Sequence, residues 1–443
     1  MKGDTLMGQI NYKRIYEKNR DGWKEATSEG NQKFEQLFAG QYSENNHFIY
    51  ELLQNAEDVK ATFITFVYQA DWLTVYHDGL PFTEANVDGI CSILDSTKGR
   101  DDAQTIGHFG FGFKSVFKYT DRPEVYSDRE AFAIERYLLP VEIPLGDFPQ
   151  DCQYRVGDQV IRPFEEKKHC TRFVLPFKSG LERAGIDPRD ILKKLAGLET
   201  EILLFLKHVR TLTWIDETTG DCGSYKRIPE EEAPGERSSS FGRICSCQKK
   251  QTINGKTQNE NSRYLIYEDV FPAKEMASAC VKVAFKFQKS AISPVNNALA
   301  WVFFPTTDES KLKFLVHGTY QTPISREKII VDSTFNRTLQ RRTENLVVKS
   351  LSDLRARDLI SQPFLREVLL PSFDAAFFPQ LREKITTAFQ QGAFLPTSEK
   401  EIYCRPDALR LPIPYEMIKT TSSQQITSMG GPDLHFMAFS DAS

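Results

Sequence analysis

The sequence predicts an α+β protein: a helix-on-sheet sandwich first, then a second α/β unit, then a mainly helical C-terminal region. Three observations carry this. The chain has 443 residues, more than a single hydrophobic core normally serves, so two or three domains are expected. From Ser43 to about Val59 apolar residues recur at helical spacing, with Phe48, Ile49, Leu52, Leu53 and Ala56 on one side, and two strand-like runs follow, Thr62 to Tyr68 and Trp72 to His77. Beyond residue 335 helical spacing returns, punctuated by Pro363, Pro371, Pro379 and Pro396.

Taken in order, residues 1–40 read as a helical lead-in with Tyr12, Ile15, Tyr16 and Trp23 as apolar anchors. Residues 41–180 form the first α/β domain, with helices on one sheet face, a short helix from Thr83 to Leu94, and a closing strand at Thr171-Arg-Phe-Val-Leu-Pro. A second α/β domain is expected over 187–335. Its elements are a helix at 187–208, a strand from Arg210 to Ile215, exposed hairpins or a loop at 228–262, and strands at 263–268, 281–288, 298–305 and 312–321. Residues 336–420 are expected to be mainly helical. The polar tail 421–443 reads as flexible, and its raggedness suggests the N-terminal piece of something longer.

Composition narrows the function classes. Hydrophobic residues at 40% and charged residues at 26% describe a globular chain with ample core material. The formal net charge of -4 gives no global pull toward nucleic acid or anionic membranes. No apolar run approaches the ~20 residues that span a bilayer. The eight cysteines are scattered and read as reduced thiols of a cytoplasmic protein. Cys245 and Cys247 are the close-spaced pair, and no second pair stands at zinc-site spacing.

Two constellations carry chemistry. Glu51, Asn55 and Asp58 stand at i, i+4 and i+7 of the expected helix, so they line one face while the leucines beside them turn inward. An amide oxygen is a hard, neutral ligand suited to Mg²⁺, and a carboxylate one turn away can orient and deprotonate an attacking water. By itself the stripe also fits a solvated helix face. The second constellation is Gly107-His108-Phe109-Gly110-Phe111-Gly112-Phe113-Lys114-Ser115. Three glycines before a helix-forming segment let backbone approach closely, the N–H groups at a helix start bind phosphate, and Lys114 adds positive charge. The spacing matches neither the Walker A pattern nor the dinucleotide fingerprint.

Between them lies Tyr76-His77-Asp78-Gly79-Leu80-Pro81-Phe82-Thr83, a strand end, a turn and a helix start. In this order and spacing, Glu51…Asn55…Asp58, the Gly79 turn and Gly107…Gly110…Gly112 resemble the Bergerat nucleotide fold of GHKL ATPases. The run from Thr83 to Lys98, with Gly-Phe-Lys-Ser-Val-Phe ending at Phe117, resembles the sacsin and NO VEIN-like branch.

The resemblance implies ATP and Mg²⁺ as cofactors, with Glu51 as the base that activates water, Asn55 as the metal ligand and Asp58 as a pocket carboxylate. It implies a phosphate loop at Gly107, Gly110 and Gly112, and a lid over residues 91–110 in which Ser96, Thr97 and Lys98 meet the phosphates. It implies that Thr171 supports base recognition, although Cys170 replaces the usual glycine before it. The superfamily's base-reading aspartate falls at position 77, where the sacsin-like branch often has Asn and this chain has His, with Asp78 next. Strand alternation puts Leu73, Val75 and His77 on one face and Asp78 on the other. His77 meets the base in that register, and Asp78 does so if a bulge turns it inward.

The second domain is similar to the transducer region behind such ATPase domains. Arg326 is its candidate for a γ-phosphate sensor, with a surface pair to Glu327 as the competing reading. The resemblance further implies slow hydrolysis coupled to shape change, a nucleotide-dependent homodimer, and a chaperone-like, remodelling or defence-related setting with an unidentified client. A module that holds nucleotide without hydrolysing it is the alternative. A histidine kinase is disfavoured, because none of the seven histidines lies in a phospho-acceptor context.

Overall fold

Alternation along two short strands builds the first layer. The computed structural model describes residues 10–27, 48–92, 112–230, 241–273, 278–288, 290–323, 327–397, 402–410 and 435–436. The chain divides into two compact units, Met1–Arg227 with Cys247–Asn261, and Ile228–Ser246 with Ser262–Ser443.

In the first unit, α1 (Tyr12–Thr27) and α2 (Phe48–Asp58) precede β1 (Phe63–Tyr68) and β2 (Trp72–His77). Then come α3 (Glu84–Cys91), a 3-10 helix (Phe113–Lys118), β3 (Glu124–Ser127), β4 (Glu130–Glu135) and β5 (Leu139–Glu142). The hairpin β6 (Tyr154–Val156) and β7 (Gln159–Ile161), β8 (Thr171–Pro176), α4 (Asp190–Ala196), β9 (Thr211–Asp216) and β10 (Cys222–Pro229) complete it. Thr83 starts α3 through a reciprocal capping box with Asn86, which satisfies donors that a helix start leaves open.

The sheet runs β10-β9-β1-β2-β8-β3-β4-β5. β1 and β9 are parallel, from Phe63 opposite Thr211 to Tyr68 opposite Asp216; β1 and β2 pair antiparallel, as do β2 and β8. The two-residue period sends Leu73, Val75 and His77 to the face that carries the helices. Tyr76 goes to the other, where it packs with Phe148, Cys152, Tyr154, Phe164 and Cys170. Helices therefore cover one face, as expected, and the chain around β6 and β7 covers the other.

Three expectations are corrected. The boundary expected near residue 180 falls inside the first unit, because β9 completes the sheet edge beside β1. The helix expected over 187–208 is limited to Asp190–Ala196. Gly197 ends it, and the N–H groups of Lys207, His208 and Val209 turn to the Glu57 carboxylate instead of a helical ladder. The stretch read as exposed hairpins or a loop holds two long strands, β11 (Arg243–Ile253) and β12 (Lys256–Phe271). They meet at Asn254-Gly255, both at positive φ, the geometry of a tight hairpin turn.

The second unit places β13 (Ala279–Gln288), β14 (Ala291–Ser293), β15 (Leu299–Val302), β16 (Phe304–Glu309) and β17 (Leu315–Gly318) in the order β16-β15-β17-β13-β12, with β14 beside β13. The helix α5 (Thr334–Ala356), N-capped by Ser333, packs on β13 and β17, and α6 (Leu381–Gln391) packs on α5. Val281, Val283, Phe285, Phe314, Val316, Leu339, Val347 and Leu351 form its core. Among the described residues no helix is long and apolar enough to cross a membrane.

Candidate nucleotide site

The site is built from α2 upward. Phe48, Ile49, Leu52, Leu53 and Ala56 bury the helix on the sheet, and the same rotation carries Glu51 inward to 5% exposure. The 3-10 helix arrives from the other side. It opens at Gly112, whose backbone is right-handed at φ -63° and ψ -41°. Left-handed geometry is therefore not why glycine stands there; close approach is. A Cβ at this position would lie 1.8 Å from Glu51 Oε2 and 2.1 Å from Cδ. Asn55, one turn beyond Glu51, is half-buried, and its side chain makes no hydrogen bond to the described residues. Asp58 is half-buried at the helix end. A buried carboxylate seated against side-chain-free backbone, with an uncommitted amide one turn away, fits an Mg²⁺-bound phosphate chain, the metal taking the amide oxygen.

A second cluster forms at the ends of β2, β3 and β8. His77 lies opposite Thr171 on β8 and is 2% exposed. Burial holds its pKa down at about 4, against a weaker pull upward from Asp78, so the ring is neutral near pH 7. Its Nδ1 accepts the Gly79 N–H at 3.2 Å, which leaves the ring proton on Nε2. Gly79 is required by close approach as well, since a Cβ there would meet Val59 Cγ2 at 2.4 Å. The Thr171 hydroxyl lies 2.9 Å from Ser127 Oγ, which accepts the Phe82 N–H at 3.0 Å. Phe173 gathers the rings of His77, Phe82 and Phe113 at 5.8, 6.1 and 5.8 Å between centroids.

Two residues expected in the site are committed elsewhere. Asp78 accepts hydrogen bonds from the backbone N–H groups of Thr62 and Phe63 and from the Thr62 hydroxyl, and it pairs with Lys167 at 3.0 Å. Burial works to raise its pKa, and these bonds together hold it below the usual carboxylate value. No bulge turns it inward, because β2 keeps regular register with β1 and β8 as far as His77. Lys114 is fully buried, its ammonium donating to the carbonyls of Ile90 and Tyr137. Both bonds commit the ammonium to the end of α3 and to the 136–138 turn.

Sequence reading also missed Glu57 and Ser127. Glu57 accepts from the N–H groups of Lys207, His208 and Val209 at 2.5 to 3.0 Å and so fastens the end of α2 to the approach of β9. Ser127 pairs with Thr171 across 44 residues of chain. Ser96, Thr97, Lys98, Gly107, His108, Phe109, Gly110, Phe111 and Arg326 lie outside the described residues.

Comparison with known proteins gives a concordant result. Residues 38–135 match the Sacsin domain family. Over 185 residues the chain is 29% identical to Protein NO VEIN of Arabidopsis thaliana, covering 39% of this chain and 7% of that protein. Over 239 residues it is 28% identical to human Sacsin, covering 44% of this chain and 5% of that protein. The chain thus corresponds to a small part of each of these relatives. Two solved structures also align: the B-subunit of DNA gyrase from Myxococcus xanthus, and a variant MutL ATPase domain from Aquifex aeolicus. The first has a TM-score of 0.37 and 9% identity over 77% of this chain and 93% of that one. The second has a TM-score of 0.23 and 13% identity over 45% and 73%. Likeness at these scores sets no constraint on the site. Over residues 38–135 the chain is thus similar to the Sacsin domain, and over part of its length it is similar to NO VEIN and Sacsin, the branch that its motifs resemble.

Proposed function

We propose that the first unit binds ATP with Mg²⁺ and hydrolyses it slowly, with Glu51 as the general base. The apposition of Glu51 and Gly112 carries this reading. A buried carboxylate is held against backbone that has no side chain, beside an amide free to ligate a metal. Bound Mg²⁺-ATP supplies the electrophilic γ-phosphorus and screens the charge that develops on its oxygens. Glu51 would orient a water and accept its proton, Asn55 would hold the metal, and Gly112, lacking a side chain, would leave the carboxylate room to sit against the backbone. The neutral His77 and the Thr171–Ser127 pair would sit at the base end.

Cytoplasmic location, a transducer role for the second unit with Arg326 at the γ-phosphate, nucleotide-dependent pairing of two copies, and a chaperone-like or defence-related setting belong to the same reading. They rest on the resemblance alone. The test is phosphate release and nucleotide binding by wild type and Glu51→Ala, with and without Mg²⁺. Mg²⁺-dependent release that falls at least a hundredfold in the variant while binding persists supports hydrolysis. Binding with the same negligible release in both proteins replaces it with a module that holds nucleotide unhydrolysed.

A further inference from the structure

Four backbone carbonyls at one corner of the first unit are held by two side chains. Lys114 donates to the carbonyls of Ile90 and Tyr137. Asn19 Nδ2 on α1 donates to the next carbonyl in each segment, Cys91 at 3.3 Å and Leu138 at 3.1 Å. One segment is the last turn of α3, where carbonyls lack helical partners and favour a cation. The other is a turn with two successive non-glycine residues at positive φ, Arg136 at 48° and Tyr137 at 68°. Such a turn is held by its surroundings. The Phe117 ring, 4.5 Å from that of Tyr137, adds a second contact from the same 3-10 helix.

A lysine 1% exposed, bonded to carbonyls rather than to a carboxylate, pays a desolvation penalty. Burial lowers its pKa to about 8, partly opposed by the neighbouring Cys91. Packing alone would be served by an apolar residue of similar length. What the ammonium adds is direction: it fixes the rotation of a six-residue helix whose first turn closes on Gly112 through Ser115, N–H to Gly112 carbonyl at 3.1 Å.

We propose that Lys114 is a positioning residue for Glu51: by tying the 3-10 helix to the end of α3 and to the 136–138 turn, it seats Gly112 against the Glu51 carboxylate. Asn19 completes the clamp from α1. The inference rests on the ATPase reading of the site. The lysine acts through Gly112 and touches no phosphate, so its loss should slow turnover and leave nucleotide affinity nearly unchanged.

The test compares full-length wild type with Lys114→Met, measuring kcat, KM, the Kd for ATP and hydrogen–deuterium exchange in peptides spanning 48–58 and 112–118. The expected result is a kcat lower by about tenfold or more, a Kd within about threefold, and faster exchange at 112–118. An unchanged kcat overturns the proposal. Parallel losses in kcat and affinity also overturn it, because they mark a direct phosphate ligand. Where Lys114→Met does not fold, Asn19→Ala removes only the Cys91 and Leu138 bonds; a smaller fall in kcat with unchanged Kd supports the clamp, and unchanged kcat rejects it. A wild type that releases no phosphate rejects the ATPase reading instead. Exchange at 112–118 then decides the clamp, which fails if Lys114→Met leaves it unaltered.

Discussion

Glu51 and Gly112 exclude a side chain between them: the room a Cβ would need at residue 112 is occupied by the Glu51 carboxylate, 1.8 Å away. The obstacle is the far end of a flexible side chain, and the Gly112 backbone already has the right-handed geometry that alanine prefers. Gly112→Ala should therefore displace the carboxylate and spare the fold. Phosphate release should fall about a hundredfold, while urea unfolding moves by no more than about 1 kcal/mol. Equal release by both proteins would remove Gly112 from the site.

His77 makes the fold sensitive to acid. Its folded pKa of about 4 lies below the 6.5 of a free imidazole, so the unfolded chain binds the proton more readily. The stability this depression supports is present in full above pH 6.5 and is lost as pH falls toward 4. The difference between the two pKa values corresponds to about 3 kcal/mol. Urea unfolding of wild type and His77→Asn from pH 7 to 4 measures it. The variant should lose less stability over that window, and identical pH slopes would show that His77 does not contribute.

The tautomer bears on base choice. With Nδ1 occupied by Gly79, His77 offers a donor at Nε2, which suits a ring nitrogen or keto oxygen better than an amino group. Under the proposed function, inosine triphosphate should compete with ATP to within about tenfold, since one such contact contributes about 1 kcal/mol. His77→Asn, able to accept as well as donate, should shift preference toward ATP. Competition binding with both nucleotides reads the shift, and an unchanged ratio would place His77 away from the base.

Glu57 stabilises without belonging to the chemistry. Its carboxylate takes three successive backbone donors, the first two oxygen–nitrogen distances being 2.5 Å to Lys207 and 2.9 Å to His208. Glu57→Ala leaves these donors, of which Val209 N–H is buried, without their acceptor and should lower stability by about 1–3 kcal/mol. Glu57→Gln, which keeps an acceptor, should lose roughly half as much. Chemical denaturation of the two variants orders them, and equal losses would show that side-chain volume matters more than the bonds.

Where the residues of the candidate site sit on helix and strand was legible because it follows local rules. Helical spacing put Glu51 and Asn55 on α2, and β-alternation separated His77 from Asp78. What stayed hidden depends on distant partners. Glu57 reads as one more polar helix residue until residues 207–209 arrive, some 150 positions later. Lys114 reads as a phosphate cation because charge and glycine neighbours are visible in the sequence, whereas the pitch of a 3-10 turn is not. Ser127 carries no motif, and it matters only through the sheet that brings it to Thr171. The early boundary near 180 had the same origin, since nothing local to Thr211–Asp216 reveals that its neighbour is β1.

That parallel pairing also governs the order in which the protein can be made. β1 ends at Tyr68 and its partner β9 begins at Thr211, so a ribosome must finish well over a hundred further residues before the edge of β1 is covered. Until then the emerging chain carries an open strand beside α2, the kind of edge that recruits other chains. The candidate site is thus completed only once Thr211–Asp216 has been made, well over a hundred residues after α2.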